Sequence, residues 1–245
     1  MLRNFGARRG IHFPLLSDPD SKVIRELGIL NDSIPAGNPF SGIPYPGTFI
    51  LNEQGVITAK YFEDDYRERY TSADILTRQF GVETGAKTEV QGKQLTLEVS
   101  ASNQIVAAGQ RVSLTLDIEM KPNMHVYAPG VEGYIPIDWT MQESTAAVPH
   151  EVSFPASEKL HLAAIDETVP VYQGHFRLTR DITIGPDDKL RSALDSAGKF
   201  TIQGTLRYQA CDDRVCYIPQ VLPVKWTFQY AEFDRVRVPA ELRRK

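Results

Sequence analysis

Cysteine is scarce in this sequence. The chain has 245 residues and only two cysteines, Cys211 and Cys216. A chain of this size with one pair of cysteines is not a disulfide-rich scaffold. A bond between them would close a very short loop and would remove little entropy from the unfolded chain. We therefore expect the pair to serve a chemical purpose, although a static structural bond remains the alternative.

Long apolar runs, a strong net charge and a secretion signal are also missing. No run approaches the ~20 apolar residues that cross a bilayer, so membrane insertion is not expected. The formal net charge of -4 gives no electrostatic footprint for nucleic acid, and the basic residues within 231–245 are interpreted as a solvated tail. The first residues lack the apolar segment of a signal peptide. If Met1 is the natural start, a cytoplasmic location is expected.

Two segments with different patterns follow each other along the chain. Residues 1–82 mix short helical and strand-like stretches, and a last helix is expected over 73–80. Residues 83–92 are rich in Gly, Thr, Lys and Glu and are interpreted as a linker. Residues 93–230 alternate polar and apolar side chains, as half-buried antiparallel strands do. The sequence predicts an α+β protein of two domains, in which an antiparallel, immunoglobulin-like β-sandwich comes second.

The strongest local signal surrounds the two cysteines. Strand-forming residues flank the turn at residues 212–215. If these flanks pair, the cysteines lie opposite each other with Cα atoms ~4.5–5.5 Å apart, within reach of a disulfide. Arg214 would favour a thiolate, whereas the neighbouring acidic residues would oppose it. Besides the cysteines, the candidate site residues around the turn are Tyr208, Asp212, Asp213, Arg214 and Tyr217.

Aromatic and histidine side chains recur in the strand-like segments of the second part. His125, Tyr127, Tyr134, Tyr172 and Tyr208 are of this kind. Such residues are usually core or cross-strand residues. The functional alternative is that some of them shield the cysteines from solvent. No Cys or His lies near His125 at the spacing of metal ligands, so no metal site is predicted.

Three stretches of the second part carry a resemblance to a known family. They are Met124–Gly130, Val169–Gly174 and, most specifically, Tyr208–Pro219. Together they resemble the periplasmic N-terminal domain of the disulfide reductase DsbD. The resemblance implies an immunoglobulin-like fold, a periplasmic location, and a hairpin cysteine pair that passes electrons without a cofactor. It implies thioredoxin-like or other redox proteins as partners. It also suggests a cover over the pair, from Tyr172 or from a residue between His125 and Tyr134.

Residues 1–82 resemble the latter part of a peroxiredoxin or redoxin domain of thioredoxin-like fold. The residues that carry this are Phe13–Pro19, Leu27–Ile29 and Pro46–Asn52. The resemblance implies that Pro46 lies beside an active site and is often cis, whereas the residues alone favour a trans turn. No cysteine precedes Cys211, so the catalytic thiol of that family is missing. This part is thus expected to be a remnant or a piece of a longer protein.

Three functions follow from these observations. The first is thiol-disulfide exchange through Cys211 and Cys216, as a redox relay or an accessory to a redoxin. The second is a non-catalytic, partner-binding β-sandwich with a structural disulfide. The third is a fragment of a longer thiol peroxidase. Peroxidase activity is not expected from this chain, because residues 1–82 supply no reactive thiolate.

Overall fold

The structure, a computed structural model, describes residues 6–7, 10–62, 69–82, 85–162 and 166–232. The chain divides into two units, Met1–Tyr66 and Arg67–Lys245. Of the predicted basic tail, residues 233–245 lie outside the described residues. None of the helices in the described ranges is long and apolar enough to cross a bilayer.

The first unit contains a short helix and a β-hairpin. A 3₁₀ turn at Pro19–Ser21 leads into helix α1 (Lys22–Glu26), and strands β1 (Gly47–Leu51) and β2 (Ile57–Phe62) pair antiparallel. The hairpin loop depends on Asn52, whose side-chain oxygen accepts the backbone N–H groups of Gln54 and Val56. Such local bonds are what make Asn a favoured turn residue.

Few side chains of the first unit are buried. In its described part only Gly6 and Ser21 are buried, while Phe13, Leu16 and Phe40 are mostly exposed. The strand expected at residues 13–16 does not form. None of the described peptide bonds is cis, so the bond before Pro46 is trans. This agrees with the prediction from the residues alone and differs from the cis bond that the family resemblance implies.

The second unit consists mainly of antiparallel β-sheets. Its two further helices are α2 (Ser72–Phe80) and α3 (Asp187–Ser192). Its strands are β3 (Arg69–Tyr70), β4 (Thr88–Gln91), β5 (Leu95–Ala101), β6 (Ile105–Val106), β7 (Gln110–Met120), β8 (His125–Tyr127), β9 (Asp138–Met141), β10 (Ala147–Ser153), β11 (Glu158–Leu162), β12 (Glu167–Gln173), β13 (His175–Ile184), β14 (Lys199–Tyr208), β15 (Ala210–Cys211) and β16 (Gln220–Tyr230).

These strands form three sheets. The largest has the order β10-β13-β7-β5-β4, with β3 beside β7; the second has the order β6-β16-β14-β9; the third has the order β11-β12-β8-β15. Side chains from all three sheets meet in one core. Strand β14 shows the expected alternation, since Phe200, Ile202 and Leu206 point inward and their neighbours point to solvent. The core also stacks Trp139 on Trp226, with ring centroids 5.5 Å apart.

The prediction of a linker over residues 83–92 is wrong for its second half. Thr88–Gln91 is strand β4 and pairs antiparallel with β5. The polar composition that suggested a linker is compatible with a strand because β4 lies at the edge of its sheet, where only Val90 packs against the core. The helix expected over 73–80 does form, as α2. Thr71 caps its N-terminus, where the hydroxyl accepts the backbone N–H of Asp74, and Gly81 caps its C-terminus. It belongs to the second unit, not the first.

A buried polar cluster lies beneath helix α2. Asp74 is fully buried, and neither carboxylate oxygen has a hydrogen-bond partner among the described residues. Arg78, one turn further along, forms an ion pair with Asp181 of β13, and Ser113 of β7 donates a hydrogen bond to the same carboxylate at 2.7 Å. Burial, assisted by the negative charge of Asp181, raises the pKa of Asp74 from 3.8 to about 7.

We predict that Asp74→Asn stabilises the protein increasingly as the pH rises. A folded-state pKa above the unfolded value makes a contribution that is present at low pH and is lost as the pH rises toward the folded value. A rise from 3.8 to about 7 corresponds to roughly 4 kcal/mol at full deprotonation. The advantage of Asp74→Asn in the free energy of unfolding should therefore grow between about pH 4 and pH 7. Denaturant titrations measure it, and the exposed Asp188→Asn is the control. An advantage that does not change with pH would contradict the prediction.

Candidate functional site

The two cysteines form a disulfide across a tight turn. Cys211 ends strand β15 and Cys216 forms a single antiparallel bridge with it. Their sulfur atoms are 2.02 Å apart and their Cα atoms 4.0 Å apart. The predicted hairpin is thus present in minimal form, because only the first flank is a strand. The backbone N–H of Tyr217 donates to the carbonyl of Ala210 at 2.9 Å and extends the pairing beyond the disulfide.

Asp212 holds the turn together. One of its carboxylate oxygens accepts the backbone N–H groups of Arg214 and Val215, both at 2.8 Å. The other accepts the hydroxyl of Tyr217 at 2.9 Å. These bonds, the one from Val215 first, lower the pKa of Asp212, and the shared bond raises the pKa of Tyr217. The carboxylate is therefore ionised at neutral pH.

The two sulfur-bearing residues differ sharply in exposure. Cys211 is only 1% exposed, whereas Cys216 is an exposed residue at the end of the turn. The cause is strand pairing: Cys211 lies in β15, which pairs with β8, while the turn extends into solvent. Cys216 is therefore the cysteine that presents more of its surface to solvent.

Two tyrosines form a wall beside the exposed sulfur. The hydroxyl oxygen of Tyr127 lies 3.8 Å from Sγ of Cys216, and the ring of Tyr134 stacks on Tyr127 with centroids 4.3 Å apart. Tyr134 donates a hydrogen bond of 2.6 Å to Glu167. That bond raises the pKa of Tyr134 to about 12, and burial raises the pKa of Tyr127. Both phenols are therefore neutral at physiological pH.

His125 lies on the buried side of the disulfide. It is the residue paired with Cys211 across β8 and β15, and its ring meets the ring of Tyr127 edge-on at 5.5 Å. The imidazole is buried, and its Nε2 atom has no hydrogen-bond partner in the described ranges. Burial lowers the pKa of His125, and the charges of Asp213 and Asp212 oppose this effect. The ring is therefore neutral at pH 7.

A groove runs along the disulfide. Its volume is about 460 Å³. It is lined by both cysteines, by the turn residues between them, and by five further residues: Tyr127, Tyr134, and Leu160, His161 and Leu162 of β11. The groove thus combines apolar side chains with charged ones directly beside an exposed sulfur.

Five of the predicted site residues do not line this groove: Tyr172, Tyr208, His125, Tyr217 and Pro46. Tyr172 is paired with Val126, so it points into the main core, where it stacks on Phe176 and donates to the carbonyl of Pro155. It does not cover the cysteines. Tyr208 is fully buried in the same core. In both cases strand alternation places the side chain on the face opposite the disulfide.

The remaining predicted site residues lie in different parts of the structure. Asp213 and Arg214 line the groove as exposed residues of the turn, and Tyr217 supports the turn from behind. Pro46 belongs to the first unit, whereas the cysteines belong to the second. The residues that the sequence did not indicate are Leu160, Leu162 and Glu167. Alternation along 158–162 indicates that both leucines share one face, but no local signal places that face beside the cysteines.

Two family models match the chain. The family described as "Thiol:disulfide interchange protein DsbD, N-terminal" matches residues 93–225. The AhpC/TSA family matches residues 1–60. No curated protein matches the chain.

Two solved structures are similar in part. The N-terminal periplasmic domain of ScsB from Proteus mirabilis is 17% identical, with a TM-score of 0.40, over 58% of this chain and 51% of the other. This chain thus covers about half the length of that protein. The seventh PapD-like domain of human CEP192 is 11% identical, with a TM-score of 0.23, over 62% of this chain and 97% of the other.

We predict that Asp212 sets how readily the cysteines close into a disulfide. Asp212→Ala removes the acceptor of two backbone N–H groups and should lower the equilibrium constant for disulfide formation, on the order of tenfold. Asp212→Asn retains the oxygen that accepts both N–H groups and should stay near the wild-type value. Equilibration with glutathione followed by acid trapping and mass spectrometry measures the constant. Equal losses in both variants would show that charge, and not turn geometry, is responsible.

Proposed function

Because this chain belongs to the family of N-terminal domains of the thiol:disulfide interchange protein DsbD, we propose that it relays electrons by thiol-disulfide exchange through Cys211 and Cys216. The observation that carries the proposal is the asymmetric disulfide: one sulfur-bearing residue is exposed at a groove and the other is buried. Disulfide exchange requires an attacking thiolate to reach one sulfur. This arrangement supplies one reachable sulfur and one protected leaving group.

The reduction of the pair proceeds in two displacements. A partner thiolate attacks Sγ of Cys216, the bond to Cys211 breaks, and the electron pair leaves on the sulfur of Cys211. The partner's second thiolate then attacks the sulfur of the partner's first cysteine, which is bonded to Cys216 in the mixed disulfide, and Cys216 is released. The partner is oxidised to a disulfide, and Cys211 and Cys216 end as thiols that carry the two protons lost by the partner. In the reverse sense, the reduced pair reduces a partner disulfide.

The partner that suits this site is a thioredoxin-like redox protein, as the DsbD family implies. Such a protein presents a reactive cysteine on its surface, and the groove beside Cys216 offers it Leu160, Leu162 and Tyr134 as an apolar contact. The reaction uses only the sulfur atoms of the two proteins and requires no cofactor. Electrons can enter and leave through the same exposed sulfur.

The family also bears on fold and compartment. We propose that the second unit is immunoglobulin-like, and that the first unit is part of a thioredoxin-like domain, a view that the AhpC/TSA match over residues 1–60 supports. We propose a periplasmic location, since disulfides persist in oxidising compartments. The same AhpC/TSA match is the observation that favours the second candidate function, a piece of a longer thiol peroxidase whose peroxide-reducing cysteine lies elsewhere.

We predict that the Cys211–Cys216 pair titrates reversibly, with a reduction potential above about -300 mV. Structural disulfides have potentials below that value and resist glutathione. Titration against glutathione and dithiothreitol buffers, with the redox state read by thiol alkylation, gives the potential. A pair that stays oxidised throughout the glutathione range would make the bond structural and leave a non-catalytic binding module.

We also predict that the two cysteine variants behave differently. Reduced Cys211→Ser keeps the exposed thiol of Cys216 and lacks the thiol that resolves a mixed disulfide. It should therefore accumulate a stable adduct with a thioredoxin-like protein whose second cysteine is replaced by Ser and whose first cysteine is activated as a mixed disulfide with 2-nitro-5-thiobenzoate. Reduced Cys216→Ser keeps only the buried thiol and should form the adduct far more slowly. Non-reducing electrophoresis measures both. Faster adduct formation by Cys216→Ser would refute the assignment of the attacked sulfur.

A further inference from the structure

His125 is the buried ionisable side chain beside the protected cysteine. Paired residues of neighbouring antiparallel strands place their side chains on the same face, with Cβ atoms about 4.5–5.5 Å apart. His125 and Cys211 are such a pair. The contact between the rings of His125 and Tyr127 confirms the face, because Tyr127 reaches the sulfur of Cys216 with its hydroxyl.

The imidazole has an unused nitrogen. A neutral histidine has one N–H donor and one nitrogen acceptor, yet Nε2 of His125 is buried and has no hydrogen-bond partner among the described residues. Buried polar atoms are nearly always bonded, so each exception calls for a reason. In the oxidised protein the neighbouring sulfur has no proton to donate. In the reduced protein Cys211 has a thiol proton.

The exchange reaction requires a base at this point. After Cys216 has formed a mixed disulfide with a partner, Cys211 must become a thiolate before it can attack. Burial of Cys211 raises the free energy needed to form that thiolate and keeps solvent away from the sulfur. A neutral imidazole beside the thiol is the group that activates such a nucleophile in cysteine-histidine pairs, and the strand register places His125 on the same face as Cys211.

We propose that His125 is the general base that activates Cys211 when the mixed disulfide is resolved, an inference that rests on the proposed function. The thiol proton of Cys211 moves to Nε2 of His125. The sulfur of Cys211 attacks Sγ of Cys216, their bond forms, and the bond from Cys216 to the partner sulfur breaks. The electron pair leaves on the partner sulfur, which is released as a thiolate, and the imidazolium then gives up its proton to that thiolate or to water.

The surroundings of His125 suit a base that is neutral before the step and cationic after it. Burial lowers its pKa, which keeps the ring neutral, and the nearby negative charges of Asp213 and Asp212 act in the opposite direction. These charges stabilise the imidazolium once it forms. From β12, the residue paired with His125 is the uncharged Gln173. The titratable side chains that the strand register places on the same face are the phenol of Tyr127 and the thiol of Cys211, and, further along β12 and β11, the carboxylates of Glu167 and Glu158.

The test uses the full chain, reduced and freed of reductant, and an aromatic disulfide as the probe, 5,5′-dithiobis(2-nitrobenzoate). Attack by Cys216 releases one coloured thiolate, and resolution by Cys211 releases a second. Stopped-flow absorbance separates the two phases. In His125→Phe the first phase should be unchanged, and the second should slow on the order of 10²-fold at pH 7, the size of a general-base contribution. The slowed phase should recover as the pH rises, because the thiol then ionises unaided.

Two further variants make the outcome specific. His125→Gln retains a hydrogen-bonding group that is not a base, so a slow second phase supports the proposal and a wild-type rate overturns it. This variant also serves if His125→Phe does not fold. His175→Gln changes an exposed imidazole of β13 that does not line the groove and should leave the second phase unchanged; an equal slowing there would also overturn the proposal.

Failure of the relay itself would look different. A wild-type protein that releases only one thiolate, or none, would refute the exchange function. A wild-type protein that releases both, at rates that do not depend on His125, would refute only the base.

Discussion

The pairing of β15 with β8 is the constraint on which the whole site depends. Strand β8 lies between β12 and β15 in its sheet. Its central residue, Val126, is opposite Ala210, and both point into the main core. The residues on either side of Val126, His125 and Tyr127, therefore point the other way, toward the disulfide. One short strand thus anchors the site in the core and presents its chemistry to the groove.

That pairing also creates the difference between the two sulfurs. It buries Cys211 to 1% exposure, but it ends there, so the turn carries Cys216 out of the sheet. Asp212 keeps the turn closed through bonds to backbone N–H groups, not to the sulfurs. Because these bonds do not involve the disulfide, its reduction breaks none of them. We therefore expect the two thiols to stay close, so that the pair opens and closes without rearrangement of the sheet.

The sequence predicts the local features of this site and misses those that depend on register. The turn at 212–215 and the alternation along β14 could be recognised because each depends on neighbouring residues. The orientation of Tyr172 could not, since it depends on which residue of β8 it is paired with. The leucines of β11 reach the groove only through the chain of pairings from β11 to β12 to β8. Strand β4 was missed because an edge strand needs only one apolar side chain.

The charges around the turn bear on the direction in which electrons flow. The carboxylate of Asp212 is ionised, with its pKa held down by the turn's N–H groups, and Asp213 adds a second acidic residue. Arg214 is the single cation in the turn. Two negative charges against one positive charge disfavour a thiolate at either cysteine. A stabilised thiolate favours the reduced state of a cysteine pair and makes its disulfide a strong oxidant. A pair whose thiolate is not stabilised is therefore the better reductant. In the relay that we propose, this charge balance favours a pair that passes electrons on to its partners over one that withdraws electrons from them. The same charges leave the buried Cys211 in need of a base within the fold, which is the position that His125 occupies.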